Sequence, residues 1–232
     1  MEISLKDLRQ VVVFENATDD DLKLILQNNI TRSIEESSFF FFQGDVAEYM
    51  YILTSGQVKL MQSNPNGQQV NLRTIYPWQM FGALGAVRAE ASYPASAQAL
   101  ENSTALAVSS KFFHSMLETR PYLSFDLMKL MTSYIQEMQA RYRELATERV
   151  EQRVANALIR LAGQSGIKSE KEAGIELSFS RQDVAEMTGS TLYTISRLLS
   201  EWERQGIIKT GREKIKILIP HGLVRIAEGL EK

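Results

Sequence analysis

From residue 122 to residue 145 the chain holds neither glycine nor proline, and Leu127, Met131, Tyr134, Met138, Arg141 and Leu145 recur at spacings of 4, 3, 4, 3 and 4. Alternating steps of three and four keep side chains on one stripe of a helix. The segment is therefore expected to form one long helix with a near-heptad seam, interrupted at Arg141. Leu123, Leu130 and Ile135 add a second apolar face. One face can rest on the helix's own domain, and the other suits the same helix of a second copy. That favours a homodimer with Leu127, Met131, Tyr134, Met138 and Leu145 at its interface. A helix packed wholly against its own domain is the alternative.

This helix divides the chain. Before it, residues 39–42, 49–54, 58–62, 70–75, 95–100 and 105–108 read as short β-type runs, separated by turn residues such as Gly44, Gly56 and Asn64-Pro65-Asn66-Gly67. Many short strands with glycine punctuation indicate a small antiparallel barrel or double-sheet roll, giving an α+β chain overall. Residues 1–30 read as short helices, with Asp19, Asp20 and Asp21 at a helix start where the macrodipole favours acids. After the long helix, a further helix is expected over 148–162, ended by Gly163, with an exposed loop over 164–174.

Composition excludes several classes. With 232 residues, 44% hydrophobic and 23% charged, the chain fits two modest folded domains and is not a largely disordered one. The absence of cysteine removes disulfides, a cysteine nucleophile and a cysteine-ligated iron–sulfur cluster. His114 and His221 are the only histidines, too few for a multi-histidine metal site in one chain. Neither a G-x-x-x-x-G-K-[ST] nor a G-x-S-x-G motif occurs, so no catalytic constellation is in view. No stretch reaches the roughly 18 apolar residues of a membrane span, and the first residues do not read as a signal peptide, which points to a cytoplasmic protein without membrane contact. The net charge of −2 hides an asymmetry: residues 1–146 hold 12 basic against 16 acidic side chains, and residues 147–232 hold 14 against 12. The sign change suggests an anionic partner for the C-terminal part.

There, Ser180-Arg181-Gln182-Asp183 has the form of a capping box opening a helix over 181–187, and Thr188-Gly189-Ser190 forms a tight turn. A second helix over 191–205 buries Ile195, Leu198, Leu199 and Trp202, and Gly206 stops it. Two strands joined at Gly211-Arg212-Glu213 then form a wing with Arg212, Lys214 and Lys216. The exposed start of the second helix offers Thr191, Tyr193, Thr194, Ser196 and Arg197. Arginine bonds guanine bidentately, hydroxyls bond phosphates or base edges, and a helix fits the major groove. The competing reading is an αα-hairpin with a solvated polar face.

Residues 179–197, FSRQDVAEMTGSTLYTISR, followed by LLSEWERQGII and a basic wing, resemble the helix-turn-helix of the CRP/FNR regulators, the family of the cyclic-AMP receptor protein and the fumarate–nitrate reductase regulator. FFFFQGDVAEYMYILTSGQVKLMQSNPNGQQVNLRTI is similar to the family's β-roll, MFGALGAV to the segment over its ligand cavity, and the long helix to its dimerisation helix. The resemblance implies a cyclic-nucleotide-binding-like roll (a double-stranded β-helix) over 1–120, a dimerisation helix over 121–146 and a winged helix-turn-helix over 147–232. It places Thr191, Leu192, Tyr193, Ser196 and Arg197 at DNA-reading positions and Gln182 at a phosphate-contacting one; Arg181, Ser190, Thr194 and Lys214 are the further candidates for DNA contact. It also implies a near-palindromic double-stranded operator, a second copy of the chain and RNA polymerase as partners. Tyr193 stands where both branches carry a glutamate that reads a C·G pair, so the half-site should depart from TGTGA or TTGAT.

The implied effector cavity comprises Gly82, Ala83, Leu84, Tyr93, Pro94, Ala95, Leu127 and Met131. In cyclic-AMP-binding members a glutamate holds the ribose and an Arg-Ser pair the phosphate; here those positions are Ala83 and Tyr93-Pro94. A buried phosphate without cation or donors is costly, so cyclic AMP is not expected. The open choices are haem or another apolar ligand, or no small ligand. SYPASAQAL is similar to the same stretch of the nitric-oxide-responsive, haem-associated branches. A haem would need an axial ligand, for which His114, Met50, Met61, Met80, Met128 and Met131 are the candidates. The rival class is a ligand-binding regulatory subunit that controls a partner protein and needs neither wing nor Arg197.

Overall fold

The computed structural model describes residues 3–64, 69–88, 90–165, 174–211 and 213–230. The chain divides into two compact units, residues 1–137 and 138–232. The boundary falls inside the long helix.

The first unit opens with α1 (Leu5–Leu8), a 3-10 turn (Val12–Phe14) and α2 (Asp19–Gln27). Among the described residues eight strands follow: β1 (Asn29–Ile34), β2 (Phe39–Phe41), β3 (Tyr49–Ser55), β4 (Val58–Ser63), β5 (Gln69–Ile75), β6 (Met80–Phe81), β7 (Ser96–Ala99) and β8 (Ser103–Ser109), with α3 (Leu84–Val87) between β6 and β7. α4 (Ser110–Thr119) and α5 (Pro121–Thr147) come next. The strands form two antiparallel four-stranded sheets, ordered β1-β8-β3-β6 and β2-β7-β4-β5, the roll expected from the glycine-punctuated runs. The short β6 and the polar β1 carry too little apolar pattern to be read from sequence.

The alternation along β3 and β8 builds two cores. Met50, Ile52, Leu106 and Val108 point to one side, where they meet Leu8, Phe14, Leu22 and Ile25, together with Phe113 of α4 and Leu123 and Leu127 of α5. Tyr51, Leu53, Ala105 and Ala107 point to the other, into the roll interior. Alanines there leave room for the rings of Phe40, Phe41, Phe81 and Tyr93.

α5 begins with Pro121 at its first position, where a missing N–H costs nothing. Its first turns are held by Asp21, which accepts hydrogen bonds from Arg120 and Tyr122. Burial opposes the charge on Asp21, yet bonds from Thr18, Tyr122 and Arg120 outweigh it and hold the carboxyl at about 2, below its ordinary 3.8. The same burial and the Asp21 charge push the Tyr122 hydroxyl up to about 12.

In the second unit, α6 (Val150–Ser165), β9 (Ile175–Leu177), α7 (Arg181–Thr188), α8 (Leu192–Arg204), β10 (Ile208–Gly211), β11 (Lys214–Ile217) and α9 (Pro220–Ala227) surround the buried Val154, Leu158, Phe179, Val184, Trp202, Ile208 and Leu223. The sheet order is β10-β11-β9, antiparallel throughout. α6 does not stop at Gly163, as the sequence suggested. A Cβ there would meet nothing within 4 Å, so the glycine only weakens an exposed helical position, by about 1 kcal/mol relative to alanine. The wing residue Arg212, the turn Pro65-Asn66-Gly67 and most of the 164–174 loop lie outside the described residues.

Candidate nucleic-acid interface

The two helices that would meet DNA are built as their sequence requires. The Ser180 hydroxyl accepts from the Asp183 N–H at 3.1 Å, and the Ser180 N–H donates to Asp183 Oδ2 at 2.9 Å, closing the expected capping box at the start of α7. α7 ends at Gly189, which takes a left-handed φ of +61°; a Cβ there would lie 3.1 Å from Leu145. Thr191 caps α8 by accepting from the Thr194 N–H at 3.2 Å. Ile195, Leu198, Leu199 and Trp202 are buried as expected, which fixes the opposite face outward.

That outward face separates the sequence-derived candidates. Leu192, Tyr193 and Arg197 are exposed, Tyr193 to 79%, and Ser196 is half-buried beside them. Among the described residues Arg197 has no ion-pair or hydrogen-bond partner. Gln182 is exposed and donates to Glu186 at 2.9 Å. Other candidates are already engaged. The Thr191 and Thr194 hydroxyls bond each other at 2.9 Å, and the half-buried Ser190 reaches the Thr188 carbonyl at 3.4 Å. Arg181 donates to Thr210 Oγ1 at 3.1 Å, and Thr210 in turn donates its N–H and hydroxyl to Glu203, both at 2.8 Å. Those bonds hold the Glu203 carboxyl below its usual range. Arg181 therefore ties α7 to the wing strand β10, a positioning role that sequence spacing does not reveal. Lys214 is exposed and pairs with Glu176 of β9 at 2.6 Å.

Residues 31–120 match the cyclic nucleotide-binding domain, and residues 152–226 match the Crp-like helix-turn-helix domain. The chain belongs to the CRP/FNR family of transcription regulators. It is 25% identical to the cyclic AMP receptor protein of Thermus thermophilus, over 94% of this chain and 97% of that one. It is 28% identical to the global nitrogen regulator of Synechococcus elongatus, over 82% of this chain and 86% of that one. Its fold is shared with the c-di-GMP-responsive global regulator of Xanthomonas campestris, at a TM-score of 0.75 and 16% identity, covering 86% of this chain and 99% of that one. A CRP/FNR family regulator of Thermus thermophilus matches with a TM-score of 0.72 and 24% identity, over 86% and 98% of the two chains.

In this CRP/FNR chain the proposed effector residues are distributed over the two cores and the surface. Tyr93 is buried in the roll interior with its ring stacked on Phe41 at 3.7 Å, and Gly82 packs against the same rings. Its hydroxyl donates to the Tyr49 carbonyl at 2.6 Å and accepts from the Tyr49 N–H at 3.2 Å, and burial pushes its pKa up. Ala95 is buried, while Leu84 and Pro94 are exposed; Pro94 offers only its carbonyl, which accepts from Gln62 at 2.8 Å. Ala83 and Leu127 belong to the other core, beside the N-terminal helices, and Met131 is exposed on α5. His114 sits on the surface of α4, its Nε2 3.4 Å from Glu118. Of the methionines, Met50, Met61 and Met80 are buried and Met128 and Met131 are exposed.

The seam on α5 also shifts. Leu127 is only 5% exposed within its own unit, and Tyr134 lies under the Arg73 guanidinium at 3.8 Å, with Arg73 bonded to Glu137 at 3.1 Å. Both are thus already engaged by side chains of their own unit. The exposed large apolar side chains are Phe125, Met128, Met131, Ile135, Met138, Tyr142 and Leu145. From Met128 onward they advance by three and four in strict alternation, an outward heptad that shares Met131, Met138 and Leu145 with the Leu127–Tyr134 set and is otherwise rotated from it by one residue.

Proposed function

We propose that this CRP/FNR regulator acts as a homodimer that binds a near-palindromic DNA site through α8 and is controlled through its roll by a signal other than cyclic AMP. The observation that carries the DNA reading is the outward face of α8, where Arg197, without a partner among the described residues, projects beside Tyr193 and Ser196 at a capped helix start. Two such helices from a two-fold dimer would enter successive major grooves about 34 Å apart. The outward heptad on α5 supports the dimer, since large apolar side chains at that repeat need a partner. Family membership supports RNA polymerase as a further partner and a cytoplasmic, non-enzymatic role. Among the described residues no helix is long and apolar enough to cross a membrane.

The roll interior supports the signal assignment. Where the family resemblance places a phosphate-binding arginine, Tyr93 stacks on Phe41 and supplies no cation. Haem through His114 draws no support from that surface position. An absorption spectrum of the protein with haem, before and after nitric oxide, tests it: a Soret band that shifts with the gas would make haem the signal.

The DNA reading is tested by titrating the full-length protein with a duplex enriched from a random pool, across a salt series. Affinity should fall steeply and linearly in log–log form. Binding that is absent or salt-independent would instead favour a regulatory subunit acting on a partner protein.

A further inference from the structure

Tyr193 and Leu192 occupy the first two positions of α8 and point outward, Tyr193 exposed to 79% and Leu192 to 48%. No carboxylate accompanies them. The first acid along α8 is Glu201, about two and a half turns on from Leu192, and it is already bound to Arg204 at 2.7 Å. The groove-facing end of the helix thus presents two apolar surfaces, one hydroxyl-bearing ring, Ser196 and a single cation, Arg197.

Base edges in the major groove differ in what they ask for. Guanine offers two acceptors that suit arginine, cytosine offers an amino donor that suits a carboxylate, and thymine alone offers a methyl group that suits an apolar side chain. Tyr193 and Arg197 are four residues apart, on one helix face and separated by about 6 Å of rise. That spans roughly two base-pair steps at 3.4 Å each.

We infer that the half-site is read as a guanine by Arg197 and, within about two base pairs of it, a thymine whose methyl group packs on the ring of Tyr193, with Leu192 flanking. Tyr193 is then the residue that sets specificity away from cytosine at that step. This rests on the DNA-binding role proposed above.

The experiment uses the full-length protein and half-sites enriched from a random duplex pool. Each thymine is replaced singly by uracil, which removes only the methyl group. At one step near the guanine the substitution should weaken binding about fourfold in one half-site and about fifteenfold in both, the former equal to about 0.8 kcal/mol for one buried methyl-sized group. Tyr193→Ala should abolish that sensitivity, and Tyr193→Phe should keep it; Tyr193 is exposed, so neither should disturb folding. Tyr193→Glu should shift the enriched base at that step to cytosine. Equal binding of uracil and thymine at every step near the guanine, or enrichment of cytosine by the unmodified protein, would overturn the inference while leaving DNA recognition intact. A protein that enriches no sequence and shows no salt-dependent binding would overturn both.

Discussion

Truncating Ile135 to alanine should dissociate the proposed dimer without touching the fold of either unit. Ile135 is 55% exposed in the single chain, so that share of its surface is free to be buried by a second copy. The substitution removes three carbon groups at about 0.8 kcal/mol each, of which about half is gained on pairing. The loss is about 1.3 kcal/mol per subunit and about 2.5 kcal/mol per dimer, close to a hundredfold in the dimer dissociation constant. The gross gain from the whole stripe is modest against the entropy of association, so a loss of this size is visible at micromolar protein. Sedimentation velocity over a concentration series reads it. Leu145→Ala, on the same stripe, should behave alike, whereas Tyr134→Phe should leave the dimer unchanged because that ring faces Arg73. A dissociation constant that moves less than threefold in Ile135→Ala would refute the rotated heptad.

Three further perturbations probe the scaffold. Because the Asp21 carboxyl is depressed in the folded chain, its contribution is complete above its ordinary value near 3.8 and is lost as pH falls toward about 2. Allowing for partial solvent screening, it should amount to about 1–2 kcal/mol, and Asp21→Asn should flatten acid unfolding between pH 5 and 2, followed by circular dichroism. Gly82→Ala adds a Cβ 3.2 Å from the rings of Phe41 and Tyr93 at a φ of +71°, and should lower stability by about 1–3 kcal/mol in denaturant titration. Thr210→Val cuts the link from Arg181 to Glu203 and should loosen the wing, speeding amide exchange in β10 while leaving α8 protected.

The turn-punctuated strands, the glycine-free helix and the capped two-helix motif were legible because each rests on local chemistry: the φ of glycine, the reach of a Ser–Asp box, the period of buried residues. What was not legible depended on choices between equivalent local patterns. Two heptads share Met131, Met138 and Leu145, and what separates them is tertiary: Leu127 is buried against the N-terminal helices and Tyr134 lies under Arg73. The family frame groups Ala83, Tyr93 and Leu127, and nothing in their local sequence announces that the alternation of β3 and β8 builds two cores, with Tyr93 in one and Ala83 and Leu127 in the other. Likewise Arg181 and Lys214 read as free cations, since nothing in their neighbours along the chain announces Thr210 or Glu176 as partners.

Arg197 is the side chain on which specific recognition turns. The deciding measurement compares the affinity of the full-length protein and of Arg197→Ala for an enriched half-site pair and for an unrelated duplex of equal length. If Arg197 reads guanine, the substitution costs about 1–3 kcal/mol per half-site on the enriched site, relaxes the preference at the guanine, and changes binding to the unrelated duplex much less. Equal losses on both duplexes, or none on either, would rule out that role.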